Sequence, residues 1–121
     1  MCLKKVSRGE VYWIDGRKEE NYRFKDFGVR PWVVVSCDIA NKCGGHPILA
    51  MLTTNFGRAD LPQNIPVTWE GISPSIVSCS NIITAPAGDD WKLATKLPEE
   101  IMKFVDGGLR AALFGEVVGH E

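Results

Sequence analysis

Pro31-Trp32-Val33-Val34-Val35-Ser36 is a continuous apolar, β-branched run opened by a proline, and it admits few fates. Branched side chains suit a pleated backbone, and an apolar run of this length without alternation fits a strand buried on both faces. Proline is tolerated at the first position of such a strand. The rest of the chain must therefore supply a core around this segment.

The neighbouring sequence supplies more strands. Glu10-Val11-Tyr12-Trp13-Ile14-Asp15 is rich in strand formers and bounded by Gly9 and Gly16. Asn41-Lys42-Cys43-Gly44-Gly45 has turn chemistry, and Pro47 to Thr54 reads as the hairpin partner of the 31–36 strand. Ile65-Pro66-Val67-Thr68-Trp69 is a shorter strand, placed at an edge by Pro66. Ser75 to Ile83 is another, bounded by Pro74 and Pro86. The last element differs. Pro98-Glu99-Glu100 suits a first helical turn, and Ile101, Phe104, Val105, Leu109, Ala112 and Leu113 recur at spacings of three and four, the mark of one helical face. Gly107 and Gly108 inside that helix suggest close backbone approach to the barrel or to a second chain, and Gly115 is placed to end it. Short strands followed by one terminal helix predict a mainly β fold, a small antiparallel barrel. The tail from Glu116 to Glu121 carries no structural signal and is expected to be flexible.

A chain of 121 residues fits one domain over its whole length and can bury a core without disulfides or metal. Of the four cysteines, Cys2, Cys37, Cys43 and Cys79, no pair has the C-x-x-C spacing, and only two histidines, His46 and His120, accompany them. A structural zinc site is therefore not expected, and free thiols suit a reducing compartment. Cys37 and Cys79 sit in apolar runs and read as small core residues. No apolar run is long enough to span a bilayer, and Lys4 and Lys5 are followed by charged sequence rather than a signal segment, so a cytoplasmic protein is expected. The net charge of −1 argues against a general polyanion binder, yet residues 1–30 carry eight basic against five acidic side chains, a local excess of three positive charges.

The segment from Gly16 to Val29 joins two strands, is charged, and is about as long as loops become before they are functional or disordered. It ends in Phe27-Gly28-Val29-Arg30-Pro31, where Gly28 permits a tight turn and Pro31 holds Arg30 extended. A guanidinium rigidly placed at the mouth of a buried strand suits anion chemistry.

These segments resemble the MazF/PemK/Kid family of mRNA interferases, the toxins of type II toxin–antitoxin systems. Arg8-Gly9-Glu10-Val11-Tyr12-Trp13-Ile14-Asp15 looks like the family's opening strand, and Gly28 to Ser36 looks like its Gly-x-Arg-Pro segment and second strand. Leu52-Thr53-Thr54-Asn55 resembles the end of its central strand, and Leu97 to Asp106 its terminal helix. The resemblance covers nearly the whole chain in order. It implies an SH3-like (CcdB/PemK-like) barrel, a homodimer, an antitoxin protein that blocks the RNA groove, and sequence-specific cleavage of single-stranded RNA with no metal or other cofactor.

The resemblance also places two catalytic positions, the arginine on Arg30 and the threonine on Thr53, with Thr54 the alternative if the register slips by one. Metal-free RNA cleavage uses the RNA's own 2′-hydroxyl, which attacks the adjacent phosphorus to give a cyclic phosphate and a 5′-hydroxyl end. Arg30 would meet the developing charge with its planar fork, and Thr53 would donate to the same phosphate. The bland alternatives are a surface ion pair from Arg30 to Asp26 or Asp15, and an ordinary strand threonine. The sequence departs from the pattern at the general base. Where relatives carry a loop glutamate this chain has Lys25, beside Asp26, and where others carry a late-strand carboxylate it has Ser80. Asp26, Thr54 and Ser80 are accordingly candidates for catalytic support. Phe27 and Phe56 suit base stacking or core packing, Asn55 and Asn81 suit base-edge reading, and Arg17, Lys18, Arg23 and Lys25 suit phosphate contacts. Two rivals stand beside this reading: a CcdB-like toxin that binds DNA gyrase, and a catalytically inactive SH3-like protein-binding relative.

Overall fold

The computed structural model describes residues 5–18, 27–44 and 46–117. Six strands form one antiparallel sheet: β1 (Glu10–Asp15), β2 (Val29–Val34), β3 (Ile48–Thr53), β4 (Asn64–Val67), β5 (Ser75–Thr84) and β6 (Lys92–Lys96), in the spatial order β4-β5-β3-β2-β1-β6. A 3₁₀ turn (Gly16–Lys18) follows β1, helix α1 (Asp38–Gly44) joins β2 to β3, and helix α2 (Glu99–Phe114) follows β6. The sheet curls until its two edges approach through a loop. Gly71, at φ +93°, lies so near β6 that a Cβ there would stand 2.9 Å from the Ala94 carbonyl oxygen.

The buried 31–36 run organises both faces. Val33 and Val35 join Val11, Ala50, Leu52, Val77 and Cys79 in the core that α2 covers with Met102 and Val105. Trp32 and Val34 point the other way, among Tyr12, Ile14, Leu49, Met51 and Trp91. Helix α2 packs on β4 and β5, and Gly108 makes that possible. A Cβ at Gly108 would stand 2.7 Å from Ile65 Cγ1 and 2.8 Å from Cys79 Sγ, so the close approach is to the barrel. Gly115 ends the helix in the left-handed conformation at φ 68°.

Two bulges interrupt the ladders. The one between β3 and β5 decides where side chains go. Ala50 pairs with Ile82 and Met51 with Ser78, so Cys79, Ser80 and Asn81 have no partner on β3. Such bulges bend a strand and re-aim side chains.

Four expectations are corrected. The residues between β2 and β3 form a short helix rather than a tight turn. Ser36, just before the helix, is held from both sides, with Asn41 Nδ2 of the helix donating to the Ser36 carbonyl at 3.1 Å and the Ile48 amide donating to Ser36 Oγ at 2.9 Å. Cys37 is exposed because the chain has left β2 by that point, whereas Cys79 is buried. The buried line of α2 runs through Met102, Val105 and Gly108, and Phe104 and Leu113 face outward. Strand β6 forms where the sequence reading assigned no element, as an edge strand with mostly exposed side chains and a lysine at each end. Lysines on an edge discourage pairing with other chains. No helix among the described residues is long and apolar enough to cross a membrane.

Candidate functional site

Arg30 and Thr53 come from adjacent strands. The β2–β3 ladder pairs Trp32 with Met51, and carrying that register two residues further sets Arg30 opposite Thr53. Cross-strand partners share a face, here the one turned away from α2, since Val33, Ala50 and Leu52 occupy the other. Arg30, Thr53 and Thr54 line one groove of ≈ 340 Å³, closed by Phe27 and by the loop that carries Ile72 and Ser73. Among the described residues that line it, Arg30 is the only charged side chain, and the others are hydroxyl-bearing or apolar.

The local structure holds the guanidinium by one nitrogen. Arg30 Nε donates to the Phe27 carbonyl at 3.2 Å. Gly28, at φ 64°, makes the turn that brings this carbonyl back, and the Gly28 carbonyl in turn accepts from the Gly16 amide at 2.8 Å. The Phe27 ring stands edge-on to Trp32, with centroids 5.6 Å apart, so the turn is seated on the core. Among the described residues no group bonds the two terminal nitrogens of Arg30 and no carboxylate pairs with it. The ion pair to Asp15 does not form, because Asp15 is held by Arg17 through contacts of 2.9 and 3.0 Å. That bidentate bond holds the Asp15 carboxyl below its ordinary value and the Arg17 guanidinium above its own.

Thr53 Oγ1 accepts from the Asn55 amide at 3.2 Å. With that lone pair engaged, the hydroxyl proton is available to a group in the groove. Thr53 also forms the wall of a second hollow of ≈ 260 Å³, where Asn55 and Asn81 meet Arg58 and Asn64.

The other expected residues are placed less centrally. Ser80 lies in the β5 bulge, exposed, and lines neither hollow. Phe56 is exposed and likewise lines neither. Arg17 and Lys18 sit on the 3₁₀ turn after β1, both exposed, with Arg17 committed to Asp15. Arg23, Lys25 and Asp26 lie outside the described residues. Sequence reasoning missed Trp13, whose exposed ring lines the first groove, and Arg58, Asn64 and Ser78 in the second. The outward position of Trp13 in an alternating strand was a usable signal; the others are gathered by tertiary structure alone. Among the described residues no three His, Cys, Asp or Glu side chains cluster as metal ligands would.

Comparison with known proteins identifies the family. Residues 7–113 match the family described as PemK-like, MazF-like toxin of type II toxin-antitoxin system. The chain is 31% identical over 113 residues to endoribonuclease MazF6 of Mycobacterium tuberculosis, covering 89% of this chain and 96% of that protein. It is 28% identical over 111 residues to endoribonuclease EndoA of Bacillus subtilis, covering 89% and 94%. The fold is shared with a mycobacterial endoribonuclease solved in complex with its cognate antitoxin, at a TM-score of 0.70 and 24% identity over 89% of this chain and 94% of that one. The chain belongs to the PemK-like, MazF-like family of type II toxin–antitoxin toxins.

Proposed function

We propose that this protein is an endoribonuclease toxin that cleaves single-stranded RNA at the groove between β2 and β3. The observation that carries the reading is the placement of Arg30: one nitrogen tied to the backbone, the one charge among the described lining residues, and in one groove with the Thr53 hydroxyl. Two relatives named as endoribonucleases share this chain almost end to end, which weighs against the gyrase-binding and inactive alternatives.

The reaction needs no bound cofactor. The 2′-oxygen gives up its proton and forms a bond to the neighbouring phosphorus, while the bond from phosphorus to the 5′-oxygen breaks and that oxygen takes a proton from water. The products are a 2′,3′-cyclic phosphate and a 5′-hydroxyl end. Negative charge grows on the non-bridging oxygens, and Arg30 faces two of them with its fork while Thr53 donates to the same group. The described lining offers no carboxylate or imidazole for the 2′-proton; Asp26, one residue before Phe27 in the sequence, is the candidate base. Thr54 lies beside Thr53 in the same groove and supports phosphate placement.

The partner reading follows the family. An antitoxin protein silences the enzyme by covering the groove, and the active form is a homodimer. Phe104, Phe114 and Val117 are exposed beside a hollow of ≈ 640 Å³ along α2, which gives a second chain apolar surface to bury. A monomeric mass by light scattering at micromolar concentration would contradict the dimer.

Incubation of the purified protein with a long mixed-sequence RNA in EDTA tests the enzymatic reading. Discrete cuts with 5′-hydroxyl and cyclic-phosphate ends are expected. Intact RNA, or ends bearing 5′-phosphate, would overturn it.

A further inference from the structure

We infer that the hollow on the far side of Thr53 is a guanine-reading pocket for the nucleotide next to the reacting phosphate. The inference rests on the RNA-cleaving reading of the adjoining groove and adds what the enzyme recognises there.

The hollow is open to solvent and has a volume of ≈ 260 Å³, which leaves room for one base. Its floor is apolar, formed by Met51 and the buried Ile76. Its walls are polar. Asn64 stands opposite Ser78 in the β4–β5 ladder, and the β5 bulge brings Asn81 back over Ser78.

The partners of the amides determine what each presents. Asn64 Nδ2 donates to the Arg58 carbonyl at 2.8 Å, and a carbonyl only accepts, so Asn64 Oδ1 is left as an acceptor. Asn81 Nδ2 donates to Ser78 Oγ at 2.8 Å, which leaves a second acceptor, Asn81 Oδ1. Asn55 Oδ1 is taken by the Gly57 amide at 2.9 Å, so Asn55 presents a donor. Among the described residues the Arg58 side chain bonds Asp60 alone, through Nε at 3.4 Å, which leaves its two terminal nitrogens.

The pocket thus offers two amide oxygens beside Ser78 and a guanidinium with an amide donor on the β3–β4 loop. Guanine is the base that answers both. Its N1–H and N2 amino group are adjacent donors, and its O6 and N7 are adjacent acceptors suited to an arginine fork. Adenine and cytosine have one donor group each, and uracil has a single N–H.

Binding and cleavage test this separately. Short thymidine oligodeoxynucleotides with one central guanine, adenine or cytosine lack the 2′-hydroxyl and are not cut, so anisotropy reads recognition alone. The guanine oligonucleotide is expected to bind about tenfold more tightly than the others, a discrimination within that of a bidentate base contact. Arg58→Ala, at an exposed loop position, should remove the preference without moving Tm, and Asn81→Ala should reduce it. In RNA cleavage by the wild-type protein, a guanine should recur at one position beside the cut and relax in Arg58→Ala. Equal binding of all oligonucleotides, no binding of any, a preference that survives Arg58→Ala, or cut sites without a recurrent guanine would each overturn the pocket. A guanine preference in binding with no RNA cut would support the pocket and remove the catalytic reading instead.

Discussion

Arg30 and Thr53 line one groove from neighbouring strands, and each is fixed by a pairing on its far side, Arg30 with Ile14 of β1 and Thr53 with Ile76 of β5. Their separation is therefore set by the spacing of two paired strands seated on a buried tryptophan, not by a loop. Such placement suits a transition state, where small errors of position are costly.

The fork of Arg30 matters as well as its charge. Arg30→Lys keeps a cation but loses the planar donor pair and the bond from Nε to the Phe27 carbonyl. We expect kcat/KM on an oligoribonucleotide containing the mapped cut site to fall about a hundredfold, with little change in Tm.

Gly108 joins α2 to the barrel. In an open helix, alanine would stabilise by roughly 1 kcal/mol over glycine. Here the added carbon would meet Ile65 and Cys79 at 2.7 and 2.8 Å, so Gly108→Ala is expected to destabilise by about 1–3 kcal/mol. Urea unfolding checks the sign, and a gain in stability would contradict the packing described.

Helix α2 is also held at its first turns by charge. Arg8 bonds Asp106 at 2.8 Å, Glu99 at 3.2 Å and the Val35 carbonyl at 2.9 Å, tying the entry of β1 to α2. Arg8 is mostly buried while Glu99 is exposed, so Asp106 is the partner that counts. Arg8→Met should cost about 2 kcal/mol by urea unfolding, with cleavage per folded molecule unchanged.

The two described cysteines should differ in reactivity. Burial, with a contribution from nearby Asp106, pushes the Cys79 thiol up to about 12, and Cys37 is exposed. The Cys79 thiolate is therefore scarce at pH 8. Alkylation at that pH followed by peptide mass mapping should label Cys37 promptly, and Cys79 only after unfolding.

Much of this was legible because burial writes itself into sequence. The 31–36 run and the Gly28-to-Pro31 turn before it announced both the central strand and the arginine at its mouth, since apolarity on both faces and a glycine–proline pair have few other readings. What was not legible lacked such a signature. Strand β6 is an edge, so its side chains show little hydrophobic pattern. The face of α2 was rotated because its centre is Gly108, which has close contacts but no hydropathy. The grouping of Asn64, Asn81 and Arg58 depends on a bulge that drops Cys79, Ser80 and Asn81 from the β3 ladder, and no spacing rule reveals that.

The most direct test of the account is the single-turnover rate of cleavage of an oligoribonucleotide in EDTA by wild-type protein, Arg30→Ala and Thr53→Val, with Tm measured for each. The account predicts that Arg30→Ala loses about a hundred- to a thousandfold and Thr53→Val about tenfold or more, both at wild-type Tm. Cleavage at the same sites and rates in folded Arg30→Ala would contradict it and place the chemistry elsewhere on the barrel.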